Sequence, residues 1–307
     1  TNSSESLDLN WKVRLESLLA RGTAAGADFV EIFLESTDYL GVLAEQDTIT
    51  NVSPSFGRGA GIRVFLGKRD GFVSTNNLSR EGLLFALNQA LGMLGLEGNK
   101  INKYKFEGLS NIKDYGNQKN DWLKLCPDLS EGSNKLLEAT NLLSLKNKNL
   151  NVRRASYSRN WQEVLIAASD GTFARDIRLH QTVGINVIAI KDKHRSNAAR
   201  RYGSSGNPND LRNWNIDKSA NELNESAQNM LNAEYVEAGQ MPVVLSNKFG
   251  GVIFHEACGH LLETTQLERG TSPFADKIDK QIAHPSVSAI DEGLSNFAFG
   301  SLSMDDE

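Results

Sequence analysis

The sequence predicts an α+β fold made of two units, each a helix followed by antiparallel strands. After them comes the start of a β-rich C-terminal domain that carries a short motif helix. Three observations predict this. Apolar residues recur at helical spacing in four separate stretches, runs rich in β-branched and aromatic residues separate them, and the order of helix then strands occurs twice along the chain.

The first stretch, Trp11 to Ala25, places Trp11, Val13, Leu15, Leu18 and Leu19 mainly at helical intervals with Arg and Glu between them, and Gly26 closes it. Phe29 to Ser36, Tyr39 to Ala44, Thr48 to Val52 and Gly61 to Leu66 then read as a meander of short strands, with Asp70-Gly71 as a hairpin turn into Phe72 to Thr75. Helical spacing returns over Leu78 to Leu94, with Ser79 at the N-cap and Glu81 in the first turn. Residues 95 to 120 are rich in Gly, Asn and Lys, a composition that suits a surface linker.

The second unit repeats the plan. A helix is expected over Leu129 to Asn147 and strands over Val152 to Arg159 and Glu163 to Ser169. Asp170-Gly171 turns the chain into strands Ala174 to His180 and Thr182 to Ile190. A helix over Ile216 to Tyr235 and a strand over Met241 to Leu245 follow, the latter leading through Ser246-Asn247 into the motif helix. The expected divisions are residues 1–100, 101–235 and 236–307, and the echo between the first two suggests an internal duplication.

Composition narrows the classes of function. The 307 residues suffice for a large core, and 39% hydrophobic with 23% charged residues is ordinary for a soluble protein. A net charge of −5 argues against a nucleic-acid partner. Two distant cysteines, Cys126 and Cys258, make no disulfide framework. No apolar run approaches the ~20 residues of a membrane span and no signal peptide opens the chain, so the expectation is a cytoplasmic protein with no membrane contact.

The densest chemistry lies in Gly250-Gly251-Val252-Ile253-Phe254-His255-Glu256-Ala257-Cys258-Gly259-His260-Leu261-Leu262-Glu263. It resembles the zinc-peptidase signature His-Glu-x-x-His, in which two imidazoles one turn apart hold the metal and the glutamate polarises water, but it is longer by one residue. On an ideal helix a spacing of four separates two side chains by roughly 40° and a spacing of five by roughly 140°. A one-residue bulge would bring the histidines closer, and Gly259 removes a side chain where it would form, so a distorted turn is expected there. Cys258 falls near 300° of the wheel from His255, away from the polar arc, and reads as a small buried apolar residue.

Other features carry less. Gly57 to Gly61 lacks the Lys-Ser/Thr and the following helix of a phosphate loop and reads as a turn before a strand, or as a floor that a peptide backbone can approach. The basic run Lys191, Lys193, His194, Arg195, Arg200 and Arg201 reads as a solvated loop face, with capture of a peptide's acidic groups as the sharper alternative. His180 and His284 stand alone, one at a strand end and one in a loop.

The motif, with Gly239 to Leu245 before it and Arg269 to Ala275 and Asp305-Asp306-Glu307 after it, resembles the TldD branch of the TldD/PmbA family of metallopeptidases, whose signature is His-Glu-x-x-x-His. The resemblance implies that His255 and His260 are zinc ligands and Glu256 the general base. It assigns the third ligand to a cysteine that has no counterpart in this sequence, and it implies a chain that normally continues through a large β-rich region, so this one is expected to be a fragment. From the wheel alone, Glu263 is the residue able to substitute as third ligand.

Two functions follow. One is a zinc-dependent peptidase acting on short or unfolded peptides as a homo- or hetero-oligomer with a PmbA-type subunit. The other is a non-catalytic peptide-binding or partner subunit of such a complex. The presence of His255, Glu256 and His260 favours the first.

Overall fold

The computed structural model describes residues 7–96, 106–116, 121–146, 150–246, 250–290, 292–294 and 298–304. They form two compact units, residues 1–233 with 293–307 and residues 234–292.

The first unit is built on one seven-stranded sheet of order β3-β2-β1-β5-β6-β4, with β7 also pairing β6. Its strands are β1 (Phe29–Glu45), β2 (Thr48–Leu66), β3 (Arg69–Thr75), β4 (Lys113–Asp114), β5 (Leu150–Ala168), β6 (Phe173–Lys191) and β7 (His194–Ser205). All pairs are antiparallel except β4 with β6. The helices are α1 (Lys12–Ala24), α2 (Arg80–Met93), α3 (Trp122–Leu125), α4 (Leu129–Lys146), α5 (Asp210–Asn213) and α6 (Ile216–Asn232). Around the central β1–β5 pair, the order helix, three-stranded meander, helix occurs twice, as α1-β1-β2-β3-α2 and α4-β5-β6-β7-α6. This topology matches the repeat that the sequence suggested.

Helix faces follow the apolar spacing. In α1 the buried residues Leu15, Leu18, Leu19, Gly22 and Thr23 form one stripe. The Ser79 hydroxyl caps α2 by accepting from the Gly82 amide, and the Asn215 side chain caps α6 by accepting from Lys218.

Two hydrophobic cores lie side by side on the same sheet. One joins α1 and α2 to Val30, Ile32, Leu34, Ile62, Val64 and Leu165. The other joins α4 and α6 to Leu40, Val42, Ala155, Tyr157, Val183 and Ile185. β1 and β5 each serve both cores, which accounts for strands of 17 and 19 residues. Expected strand pairs therefore merge. Phe29 to Ser36 and Tyr39 to Ala44 are one strand, as are Thr48 to Val52 with Gly61 to Leu66, Val152 to Arg159 with Glu163 to Ser169, and Ala174 to His180 with Thr182 to Ile190. Polar residues at or next to the expected breaks mark the seam between the cores. Ser36, Glu163, Arg175 and Gln181 are buried there, and Asp176 is buried on the other face of the sheet. Arg175 donates to Glu163 and to Asp114, and Gln181 accepts from the Tyr157 hydroxyl and donates to the Asn207 carbonyl.

Three further expectations are corrected. Asp70-Gly71 lies inside β3, because the hairpin turns at Gly67-Lys68, where Gly67 has φ +60°. Gly71 serves packing instead, since a Cβ there would collide with the Ala90 carbonyl of α2. Gly57 to Gly61 is an extended part of β2, and the basic run is not a loop face: it runs from the end of β6 through the Asp192-Lys193 turn into edge strand β7. In the linker, 97–105 and 117–120 lie outside the described residues. Residues 106–116 are tied down: the Leu109 amide donates to Glu16 and the Ser110 amide to the Gly171 carbonyl.

His180 sits within β6, not at its end, with its ring 5.1 Å from that of Phe299. Burial lowers its pKa below the ordinary 6.5, the Arg178 charge adds to the effect, and a backbone hydrogen bond at Phe299 opposes it. The folded imidazole is thus neutral where the unfolded one gains a proton, so acidification below about 6.5 favours unfolding. Unfolding curves over a pH series are expected to show native stability falling from pH 6.5 downward, and His180→Asn should flatten that part of the profile. An unchanged profile in the variant would contradict it.

The second unit contains α7 (Gly251–Phe254) and α8 (Thr264–Glu268). Met241 to Leu245 forms neither strand nor helix, so the strand expected there is not found, and Asn247 and Asp305-Asp306-Glu307 lie outside the described residues. No helix among the described residues is long and apolar enough to cross a membrane.

Candidate metal centre

The motif is wound in three ways within a dozen residues. α7 is followed by a π-helical turn over His255–Gly259 and a 3-10 turn over His260–Leu262. The His260 amide donates to the His255 carbonyl, a hydrogen bond from residue i+5 to residue i. That bond is the distorted turn the spacing called for: it places residues five apart on one face. The imidazoles consequently meet edge to face, with ring centroids 4.4 Å apart and planes at 66°. Gly259 lies beside the His255 ring, where a Cβ would come into ordinary contact with Nδ1 at 3.4 Å.

Glu256 joins the pair. One potential ligand atom from each of His255, Glu256 and His260 can be chosen so that all lie within 4.8 Å of one another, and all three side chains are exposed. Oε2 of Glu256 is 3.9 Å from Nε2 of His260. Two imidazoles and a carboxylate are a donor set whose chemistry suits zinc, which takes nitrogen and oxygen ligands.

Glu263 occupies a different place. Its Oε1 is 2.7 Å from Nδ1 of His260, on the ring edge opposite Nε2, and it is not among the three clustered residues. This hydrogen bond raises the His260 pKa above the ordinary imidazole value. Desolvation opposes the shift, while the charges of Glu263 and Glu256 add to it. The backbone turns extended at Glu263, with ψ 137°, and α8 begins behind it.

Ser272 braces the end of the motif and is buried. Its hydroxyl donates to the Leu261 carbonyl at 2.5 Å and accepts from the Phe274 amide at 3.1 Å. Nothing in the periodicity marked it, although it falls in the Arg269 to Ala275 stretch already singled out. Cys258 stands outside the cluster as expected but is half-exposed and not buried. His284 is remote in sequence, its Nδ1 hydrogen-bonded to the Ser286 hydroxyl.

In the first unit, Gly59 and Gly61 floor an open groove of about 510 Å³, whose walls include Phe33, Glu35, Phe72 and Ser74. Arg200, within the basic strand β7, donates to the Ser226 hydroxyl.

Comparison with known proteins now bears on the chain. Residues 30–94 match the PmbA/TldA metallopeptidase domain 1, residues 124–231 the central domain and residues 238–307 the C-terminal domain. A metalloprotease TldD homolog of Haemophilus influenzae is 28% identical over 298 residues, covering 91% of this chain and 59% of its own length. A metalloprotease of Methanocaldococcus jannaschii is 27% identical over 296 residues, covering 91% and 63%. The chain thus spans about three-fifths of the length of these relatives. Among solved structures, a Bacteroides thetaiotaomicron protein described as a candidate modulator of DNA gyrase superposes with a TM-score of 0.68 at 13% identity, covering 88% of this chain and 61% of that one. TldE from Thermococcus kodakarensis superposes with a TM-score of 0.54 at 18% identity, covering 70% and 47%. These likenesses show a shared fold, and with three of the family's domains matched in order along it, the chain belongs to the PmbA/TldD metallopeptidase family.

Proposed function

We propose that this chain supplies two metal ligands and the general base of a zinc-dependent peptidase, a reading carried by the i+5 turn that gathers His255, Glu256 and His260. His255 and His260 would hold the ion through imidazole nitrogens. Zinc bound there would polarise a scissile carbonyl and bring its water toward a neutral pKa. Glu256, acceptor-only when ionised, would serve as the general base, its carboxylate able to take up a proton and pass it to the leaving amine. The names of the relatives support the class of reaction, since they are metalloproteases. Substrates are proposed to be short or unfolded peptides, with the glycine-floored groove of the first unit open to a peptide backbone.

The third ligand is proposed to come from a cysteine outside this sequence, as the family resemblance implies. The chain alone then binds zinc weakly. A PmbA-type subunit is the proposed partner, supported by the fold shared with TldE.

Chelation tests the reading. Peptide hydrolysis by the complete protein is expected to stop on treatment with a zinc chelator and to return on adding zinc. Hydrolysis that persists in chelator would remove the metal from the reaction.

A further inference from the structure

We propose that Glu263 is the positioning residue of the centre, selecting which nitrogen of His260 faces the metal. The inference rests on reading His255 and His260 as ligands, and the geometry supplies the rest. A neutral imidazole has one donor and one acceptor nitrogen, whereas an ionised carboxylate only accepts. Glu263 lies 2.7 Å from Nδ1, so Nδ1 carries the proton and Nε2 keeps the lone pair. Nε2 is the atom 3.9 Å from the carboxylate of Glu256.

Backbone geometry shows how Glu263 is free for this task. It stands at the N-cap position of α8, yet its side chain makes no capping hydrogen bond. Its carbonyl instead accepts from the amides of Gln266 and Leu267, and its side chain turns back to His260. The 3-10 turn over His260–Leu262 ends there, with the Leu261 carbonyl held by Ser272, so the two partners three residues apart are fixed from behind. Carboxylates that orient metal-binding histidines through the distal nitrogen typically change metal affinity by about 10–100-fold when removed.

Long-range 1H–15N correlation spectra of the metal-free chain, recorded at alkaline pH where the imidazole is neutral, read the tautomer of His260. The expected result is Nδ1–H in the wild type, the same tautomer in Glu263→Gln, whose amide oxygen still accepts, and a mixture in Glu263→Ala. Zinc titrated against a chromogenic chelator should bind about 10–100-fold more weakly to Glu263→Ala, with the coordination number seen by X-ray absorption unchanged. An Nε2–H tautomer in the wild type, or unaltered tautomer and affinity in Glu263→Ala, overturns the proposal. So does loss of one oxygen ligand from the zinc shell in that variant, which would make Glu263 a ligand. Failure of the metal reading has a separate signature, zinc affinity unchanged in His255→Ala, whereas the tautomer is read without metal.

Discussion

Glutamine in place of Glu256 is expected to lower peptide hydrolysis by the complete protein by at least about 10²–10⁴-fold, the usual contribution of a general base, while zinc content stays at the wild-type level. Glutamine keeps the shape and the hydrogen-bonding reach of the side chain but cannot take a proton from water at neutral pH. The side chain is exposed and lies 3.9 Å from Nε2 of His260, so the substitution leaves no buried vacancy and the turn itself should be undisturbed. Turnover of a fluorogenic peptide, together with zinc by mass spectrometry, decides the matter. Loss of zinc along with activity would make Glu256 a ligand, and retained turnover would exclude it as the base.

The second large effect concerns stability. Arg175 and Glu163 meet diagonally on the paired strands β6 and β5, with side chains only 7% and 5% exposed and an N–O separation of 2.5 Å. Removing one partner strands the other charge in the sheet, a change that typically costs about 3–5 kcal/mol. Asp114, 3.2 Å from the guanidinium and 30% exposed on its side chain, still offsets part of that charge in Glu163→Ala, so about 3 kcal/mol is expected. Denaturant unfolding measures it. The double substitution Glu163→Leu/Arg175→Met should recover most of the loss, because the pair holds the seam between two apolar cores and an apolar pair can fill it. A single variant as stable as wild type would show that the pair contributes nothing.

The seam also separates what could be read in the sequence from what could not. Helix positions and caps followed from apolar spacing and from Ser79, because each helix buries one stripe against one core. Strand lengths did not follow. Thr37-Asp38 and Asn160 to Gln162 look like breaks in a one-dimensional pattern, and only the lateral pairing of β1 with β5 shows them to be crossings between neighbouring cores. The Gly67-Lys68 turn was displaced onto Asp70-Gly71 for a related reason. The stronger local turn signal was there for contact with α2. At the site, the spacing of His255 and His260 was enough to call for a widened turn, since five residues on an ideal helix leave the rings too far round. The opposing edges of the His260 ring, one toward Glu256 and one toward Glu263, depend on side-chain direction beyond the 3-10 turn, which a helical wheel places wrongly once the helix ends.

The most direct test of the metal centre is equilibrium zinc binding to this chain, to His255→Ala and to His260→Ala, each titrated against a chromogenic chelator. Each substitution removes one nitrogen from the cluster held by the i+5 turn. The account predicts weak zinc binding by the unaltered chain, readily reversed by a mild chelator, and an affinity lower by at least about tenfold in each variant, a loss of at least ~1.4 kcal/mol per ligand. Equal zinc affinity in all three proteins would contradict it.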